Sequence, residues 1–528
     1  MPRFVRRPSA IQVAWGFALL LAVVPLWSSE ALPLVDLPQH LHLISVLHRL
    51  DDATTLYPNV FARRPELTPY LGYYYTVSSL SFLLPIETAN RVFLSAYVVG
   101  LPLSLAFLLR SFARPAWPSL LSLPFAYGDS FAWGFVNYCA SLPLALLSCG
   151  LFVRAITDQA RRRTWAIALA VTLSLVLLFH VQAFAWLGLA LPFLLLTTPA
   201  PEGRGLRARA AALLGVMPAV TLFLVWVGLR LGHPQEIAPG QPWKSWGPML
   251  SGDNLAFKPF AQNLAELVQI RDLQFPILAG ATHDGADQHA VRLVLLIAAA
   301  AWLLSLFRGD DAREGPVARF RMLGLFLVAL TLFFVLPFDI RGYMYYLNTR
   351  YAHLAAALLV SAVPPLKPAW SRWGTWAAAA AALVLMLPLR SAYAAFAAES
   401  RPLSVLARAS GSRPRVMGLI YRSGSGSVRY PAFLHSACVI ARERGGLTNF
   451  SFASTPHSPL MYLEAPPPTF PSEWRPSEML WDTQGRYYDH FLIRGRHPRE
   501  IFGARLDSEL YVAAEQDDFY LVRRRFPL

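Results

Sequence analysis

A carboxylate and two imidazoles lie within seven residues of each other near the start of the chain. Asp36, His40 and His42 occur in the segment LVDLPQHLH, which follows the first strongly apolar run, residues 11–27. A charged side chain at the edge of a membrane-length apolar helix is costly unless it has a partner or a chemical task. A carboxylate there could act as a general base, with His40 as its partner or as a substitute base. The alternative is structural, with Asp36 capping a helix that carries the histidines on its surface.

The composition places this segment in a membrane protein. Of the 528 residues, 55% are hydrophobic and only 15% are charged, and the mean hydropathy is +0.39. A soluble domain has about 25% charged residues. The formal charge of +15 comes mainly from arginines in short loops, so it indicates membrane topology and no nucleic-acid partner is expected. The three cysteines form neither a metal-binding nor a disulfide pattern.

The apolar runs predict eleven membrane-spanning segments. These are residues 11–27, 92–109, 115–127, 135–153, 164–180, 183–198, 209–231, 290–307, 319–337, 351–365 and 373–391. Residues 70–86 are rich in tyrosine and serine, and we expect them to lie at the membrane interface. With this choice, the basic segments 110–114, 154–163, 204–209, 308–319 and 367–372 all fall in the cytoplasm. The N-terminus, which carries Arg3, Arg6 and Arg7, falls there too.

The pattern therefore predicts an all-α polytopic membrane protein with a small C-terminal α/β domain. Residues 1–394 form the membrane domain, with a large first outer loop at 28–91 and another outer loop at 232–289. Residues 395–528 form an extracytoplasmic domain. In that domain, strands are expected at 415–421, 488–493 and 509–522, and a helix at 432–444 that ends at Gly445 and Gly446.

This organisation resembles the GT-C superfamily of glycosyltransferases, such as protein O-mannosyltransferases and lipid A aminoarabinose transferases. The resemblance covers most of residues 1–370 as a pattern, with few identities. Asp36-Leu37-Pro38-Gln39-His40 is similar to the acidic motif of that superfamily, although Leu37 stands where a second acid is usual. Residues 68–74 (TPYLGYY) and 89–92 (ANRV) are similar to segments around its second span, and Arg350-Tyr351 to the pair that opens a late span.

The resemblance implies a reaction and roles for individual residues. A sugar would pass from a polyprenyl-phosphate carrier to an unknown glycan, lipid or protein acceptor at the outer face of a bacterial inner membrane. Asp36 would be the catalytic base, with His40 beside it. Arg341 and Arg350 would bind the lipid phosphate, because a departing phosphate needs fixed cations. The further candidates for substrate binding are Tyr351, Asp129, Asn137 and His180. No metal ligand is assigned, and a requirement for a divalent metal stays open.

Structural roles and other functions remain as alternatives. Arg341 and Arg350 could instead pair with Asp339 or anchor at lipid headgroups, and His180 could be a satisfied interfacial histidine. The chain could be a non-catalytic scaffold with the same fold. It could also be a transporter or flippase, although the sequence contains no internal repeat and most of its charges lie in loops.

Overall fold

The computed structural model describes residues 9–526 except residues 202, 204, 233–235, 243–248, 250, 280 and 308–315. Arg3, Arg6 and Arg7 and parts of the basic segments 204–209 and 308–319 therefore lie outside the described residues. The described part of the chain is mostly helical, with one sheet near the C-terminus.

Seventeen α-helices are found among the described residues. They are α1 (Ala10–Trp27), α2 (Leu37–His48), α3 (Leu71–Leu80), α4 (Ile86–Ser111), α5 (Asp129–Ala132), α6 (Val136–Thr157), α7 (Arg162–Phe179), α8 (Val181–Thr197), α9 (Gly205–Gly232), α10 (Phe260–Leu267), α11 (Ala286–Ser305), α12 (Pro316–Val335), α13 (Arg350–Ser361), α14 (Pro368–Ala409), α15 (Ala437–Arg444), α16 (Pro498–Phe502) and α17 (Arg505–Ser508).

Seven of these helices are long and apolar enough to cross a membrane, as judged over the described residues: α1, α4, α6, α7, α9, α11 and α14. Two shorter apolar helices, α8 and the part of α12 from Phe320 to Val335, lie among them. The protein is thus an integral membrane protein. The predicted interfacial segment 70–86 contains α3, whose ten residues extend only about 15 Å at 1.5 Å per residue.

Four of the eleven predicted spans are shorter than the seven membrane-length helices. Two of them contain α8 and the apolar part of α12, and the other two are shorter still. Residues 117–127 form a buried 3₁₀ helix of eleven residues that contains Pro118 and Pro124. Proline lacks the backbone N–H that an α-helix requires, and this helix extends only about 22 Å. In the segment 351–365, α13 has twelve residues, or about 18 Å, against a hydrocarbon core of about 30 Å.

Contacts between helix ends define the two ends of the bundle. At one end, Arg154 Nη2 donates to Arg110 O at 3.0 Å, and Arg321 Nε donates to Thr197 O at 3.1 Å. At the other end, Tyr138 Oη donates to Arg350 O at 2.7 Å. Arg110, Arg154 and Arg321 thus lie at one end of the bundle, and the segments that contain Asp36 and Arg350 lie towards the other.

The strands are β1 (Phe61–Arg63), β2 (Glu236–Ala238), β3 (Gln241–Pro242), β4 (Leu255–Ala256), β5 (Asp339–Ile340), β6 (Arg415–Ile420), β7 (Leu447–Thr448), β8 (Leu460–Tyr462), β9 (His490–Arg494), β10 (Leu510–Gln516) and β11 (Phe519–Arg524). Five of them form a mixed sheet in the order β10-β11-β9-β6-β7, in which β6 is parallel to both β7 and β9. The hairpin β10-β11 turns at Asp517, whose φ is 54°.

The C-terminal region packs closely on the membrane helices. The predicted domain boundary at residues 394 and 395 falls inside α14, which continues to Ala409 without interruption. Strand β8 pairs with β1 of the first loop in an antiparallel register that places Phe61 opposite Tyr462. The predicted helix 432–444 begins only at Ala437, so His435 lies in the turn before it and faces the first loop. This pairing brings C-terminal side chains to the Asp36 segment.

Candidate functional site

The backbone around Asp36 is fixed against the turn between α5 and α6. Val35 N donates to Ala132 O and Asp36 N donates to Trp133 O, both at 3.0 Å. Gly134 has a φ of 86°, and a Cβ atom there would lie 2.9 Å from Asp36 N, so glycine is required. Asp36 occupies the N-cap position of α2, but its side chain makes no capping hydrogen bond. The carboxylate is therefore left for another partner.

That partner is His435 of the C-terminal region. His435 Nε2 lies 3.3 Å from Asp36 Oδ1, and His435 Nδ1 lies 3.5 Å from Glu473 Oε2. The side-chain amide of Gln39 approaches the same Nδ1 atom at 2.9 Å. Burial alone would lower the pKa of His435, but the carboxylates of Glu473 and Asp36 raise it above its ordinary value. The imidazole of His435 is thus held between two carboxylates.

His40 is committed to other contacts. Its Nδ1 lies 2.7 Å from Tyr74 Oη, and its Nε2 lies 3.2 Å from Gly134 O. Since a carbonyl can only accept, Nε2 carries the proton and Tyr74 donates to Nδ1. Burial lowers the pKa of His40 to about 4. The ring is thus neutral at pH 7, and neither His40 nor His42 is a surface residue.

Arg350 lies at the start of α13 and is held from three sides. Its Nη1 lies 3.0 Å from His180 Nε2 and 2.9 Å from Gln182 Oε1. Its Nη2 donates to Tyr345 O at 3.2 Å, and the guanidinium lies 4.0 Å from the centre of the Phe135 ring. No contact to Asp339 holds this guanidinium, and its Nε atom is buried without a hydrogen-bond partner. Arg350 lines the adjacent cavity, where its positive charge is suited to an anion.

His180 separates α7 from α8. Its backbone is extended (φ −162°, ψ 124°), and its Nδ1 lies 3.1 Å from Gln182 N at the start of α8. Its ring packs edge-on against Tyr70 at 4.5 Å between centroids. His180 is therefore both a helix-capping residue and a neighbour of Arg350.

One cavity of about 170 Å³ brings together five of the predicted site residues: Asp36, His40, Asn137, His180 and Arg350. Its remaining walls are mainly aromatic or come from the C-terminal region: Tyr70, Tyr74, Phe135, Val136, Tyr138, Phe452, Thr455, His457 and Ser458. A carboxylate and a guanidinium thus line the same cavity, which is the arrangement expected for a base and an anion-binding group.

The other three predicted residues lie outside this cavity. Asp129 accepts a hydrogen bond from Tyr430 Oη at 2.7 Å, and burial raises its pKa to about 6. Tyr351 is buried and donates through Oη to Gln182 O at 3.0 Å, so it supports a residue that holds Arg350. Arg341 is exposed, and its backbone N–H donates to Asn254 O.

Sequence reasoning missed the residues that the C-terminal region contributes. His435 and Glu473 contact the Asp36 segment, and His457 lies with its ring 4.7 Å from that of Tyr70. His457 lies outside the predicted strands and helices of the C-terminal region, which is the one sequence signal that could have suggested a site. The distance of about 400 residues between these side chains and Asp36 gave no indication of contact.

The described residues do not fit a metal centre. Within the described ranges, no group of three or more His, Cys, Asp or Glu side chains is placed to hold a metal ion. We therefore derive no chemical step through a metal.

Comparisons with known proteins give structural likeness only. No protein-family model matches the chain, and no curated protein matches it. Among solved structures, the arabinofuranosyltransferase AftD from Mycobacteria is 14% identical with a TM-score of 0.49. ArnT from Cupriavidus metallidurans bound to undecaprenyl phosphate is 11% identical with a TM-score of 0.41.

The coverage of these two structures differs. Each alignment covers 97% of this chain. The aligned part corresponds to 40% of the AftD chain and 98% of the ArnT chain. At such identities and scores, no residue of this chain takes a role from either structure.

Proposed function

We propose that this protein is a membrane glycosyltransferase that moves a sugar from a polyprenyl phosphate to an acceptor at the non-cytoplasmic face of the membrane. The observation that supports this proposal best is the shared cavity of Asp36 and Arg350. Glycosyl transfer from a phosphate needs a base at the acceptor and a cation at the leaving group, and the cavity contains one of each.

In the proposed reaction, the acceptor hydroxyl oxygen attacks the anomeric carbon of the carried sugar. The bond between that carbon and the phosphate oxygen breaks, and the phosphate leaves with the electron pair. Asp36 takes the hydroxyl proton, and a single displacement of this kind inverts the anomeric configuration. Arg350, whose Nη1 atom donates to Gln182 Oε1, would bind the phosphate that departs.

The charge distribution supports the orientation of the site. Arg110, Arg154 and Arg321 lie at the end of the bundle opposite the Asp36 segment. Arginine-rich loops are retained in the cytoplasm. The cavity and the C-terminal region would therefore lie on the outer side, in a bacterium the periplasmic side of the inner membrane, with the N-terminus inside.

The test is transfer in vitro from a panel of radiolabelled polyprenyl-phosphate sugars by the purified full chain in detergent. Transfer from at least one donor, lost in Asp36→Asn and kept in Asp51→Asn, is expected. Asp51 is a suitable control because it is an exposed acid that does not line the cavity. Full activity of Asp36→Asn would remove Asp36 from the mechanism. Binding of donors without transfer by the wild type would favour the non-catalytic scaffold.

A further inference from the structure

A second, larger cavity opens beside the catalytic one. It has a volume of about 790 Å³, and it shares Asp36, Tyr70, Arg350 and His457 with the smaller cavity. An acceptor that presents a hydroxyl to the Asp36 carboxylate needs space of this kind. We call the part beyond the shared residues the outer chamber.

Three separate segments of the chain build an aromatic wall in the outer chamber. Trp133 comes from the turn before α6, Tyr346 from the loop before α13, and Trp474 from the C-terminal region. The ring centroids of Trp133 and Tyr346 are 4.7 Å apart, and those of Trp133 and Trp474 are 6.5 Å apart. Tyr346 has a φ of 57°, in the left-handed region that tyrosine rarely adopts. The packing around it therefore enforces this ring position.

Much of this wall remains open to solvent. Trp474 is 51% exposed, and the neighbouring Tyr345 is 56% exposed. Large aromatic side chains that are left exposed beside a cavity usually mark a binding surface. Their ring faces are electron-rich and attract the weakly positive C–H groups of a ligand.

The charges of the outer chamber limit the class of ligand. Of the described residues that line it without lining the smaller cavity, Asp339 and Glu473 are ionisable acids, and none is a lysine, arginine or histidine. Lys258 lies over the Phe338 ring at 3.4 Å, but both carboxylate oxygens of Glu266 hold its Nζ atom at 2.7 Å. The outer chamber thus disfavours a phosphorylated acceptor, because its own ionisable residues are acids. It also disfavours an acyl chain, because apolar contact would remove those acids from water.

We propose that the outer chamber binds an uncharged oligosaccharide as the acceptor of the transfer reaction. The C–H faces of sugar rings would lie on Trp474, Trp133 and Tyr346, and sugar hydroxyls would donate to Asp339 and Glu473. The terminal hydroxyl would then reach Asp36. This inference rests on the proposed function, because the protein has an acceptor only if it transfers a sugar.

Binding can be measured separately from transfer. Isothermal titration calorimetry on the full chain in detergent would use uncharged tri- to hexasaccharides of arabinose, mannose, glucose and galactose. Serine- and threonine-containing peptides and phosphatidylglycerol would be titrated in parallel. At least one saccharide is expected to bind, and Trp474→Ala should weaken its binding about tenfold, as expected for the loss of one aromatic contact.

Two further variants make the test specific. Trp474→Phe retains an aromatic face and should retain most of the binding. Trp373→Ala removes a tryptophan that is 71% exposed on α14 and lines neither cavity, so it should bind as the wild type does. Absence of binding by every saccharide, an unaffected Trp474→Ala variant, or binding of peptide or lipid instead would each overturn the inference. Binding of undecaprenyl phosphate, measured on the same preparations, reports on the proposed function independently.

Discussion

The carboxylate of Asp36 lies 3.3 Å from Nε2 of His435, a residue 399 positions later in the chain. This contact connects the first membrane-proximal loop to the C-terminal region at the centre of the candidate site. His435 in turn lies 3.5 Å from Glu473, so an imidazole is held between two carboxylates. The C-terminal region therefore contributes side chains to the candidate site.

Replacement of the proposed base should nearly abolish transfer. Asp36→Asn keeps the size of the side chain but cannot accept a proton from the acceptor hydroxyl. The expected loss in turnover is about 10²–10⁴-fold, the usual effect of removing a general base. Measurement is by sugar transfer from the true donor, with Asp51→Asn as the matched control. Equal losses in both variants would indicate a general effect of charge and not catalysis by Asp36.

His435 should act as a positioning residue with a pH-dependent effect. Its folded-state pKa is raised above the ordinary value of 6.5, so its pairing with the carboxylates stabilises the fold fully below pH 6.5. That contribution is lost as the pH rises through the folded-state pKa. The difference in thermal midpoint between the wild type and His435→Gln should therefore shrink from about pH 6 to about pH 9. His497→Gln, at an exposed histidine, is the control, and a difference that stays constant over this range would exclude the charged pair.

Loss of Arg350 should weaken binding of the lipid phosphate. Arg350→Ala removes a charge-assisted donor, and undecaprenyl phosphate should bind about tenfold more weakly or worse. Arg350→Lys should restore this binding only in part, because lysine lacks the planar fork of two donors. The exposed Arg341, which does not line the cavity, provides the control Arg341→Ala. Should Arg341→Ala be the variant that loses binding, the phosphate site would lie at Arg341.

His40 should contribute more to stability than to the chemical step. His40→Ala leaves the buried Tyr74 hydroxyl and the Gly134 carbonyl without their partner. Each unsatisfied buried group costs about 1–3 kcal/mol. The thermal midpoint should fall, while turnover of the folded fraction should fall less than in Asp36→Asn. His289→Ala, at an exposed histidine, controls for the substitution itself. If His40→Ala keeps the wild-type thermal midpoint but loses turnover, His40 acts in the chemical step.

The proposed orientation predicts the location of reporter fusions. Alkaline phosphatase and green fluorescent protein fused after residues 60, 158 and 411 should report outside, inside and outside, respectively. Residue 158 follows α6 at the arginine-rich end of the bundle, and residue 411 follows α14. A cytoplasmic signal at 60 or 411 would invert the scheme and would place the cavity on the wrong side for an outer-face reaction.

The sequence by itself identified a membrane protein and its first candidate residues. Apolar runs such as that of α1 are readable because a span must satisfy its backbone hydrogen bonds internally and cover them with apolar side chains. Asp36 and Arg350 were both predicted as site residues from patterns at the membrane edge, and both line the same cavity. The lengths of the membrane helices were predicted less well. The predicted span 115–127, which contains Pro118 and Pro124, forms a short 3₁₀ helix.

Only the tertiary structure decided which side chains share the site. Local pattern does not indicate that β8 pairs with β1, or that His435 lies against Asp36 in place of His40. Those contacts depend on the packing of the C-terminal region over the first loop. Contacts between residues about 400 positions apart leave no local pattern in the sequence. The sequence determined which segments lie in the membrane, because their side chains are apolar. The tertiary structure determined which side chains contact each other in the site.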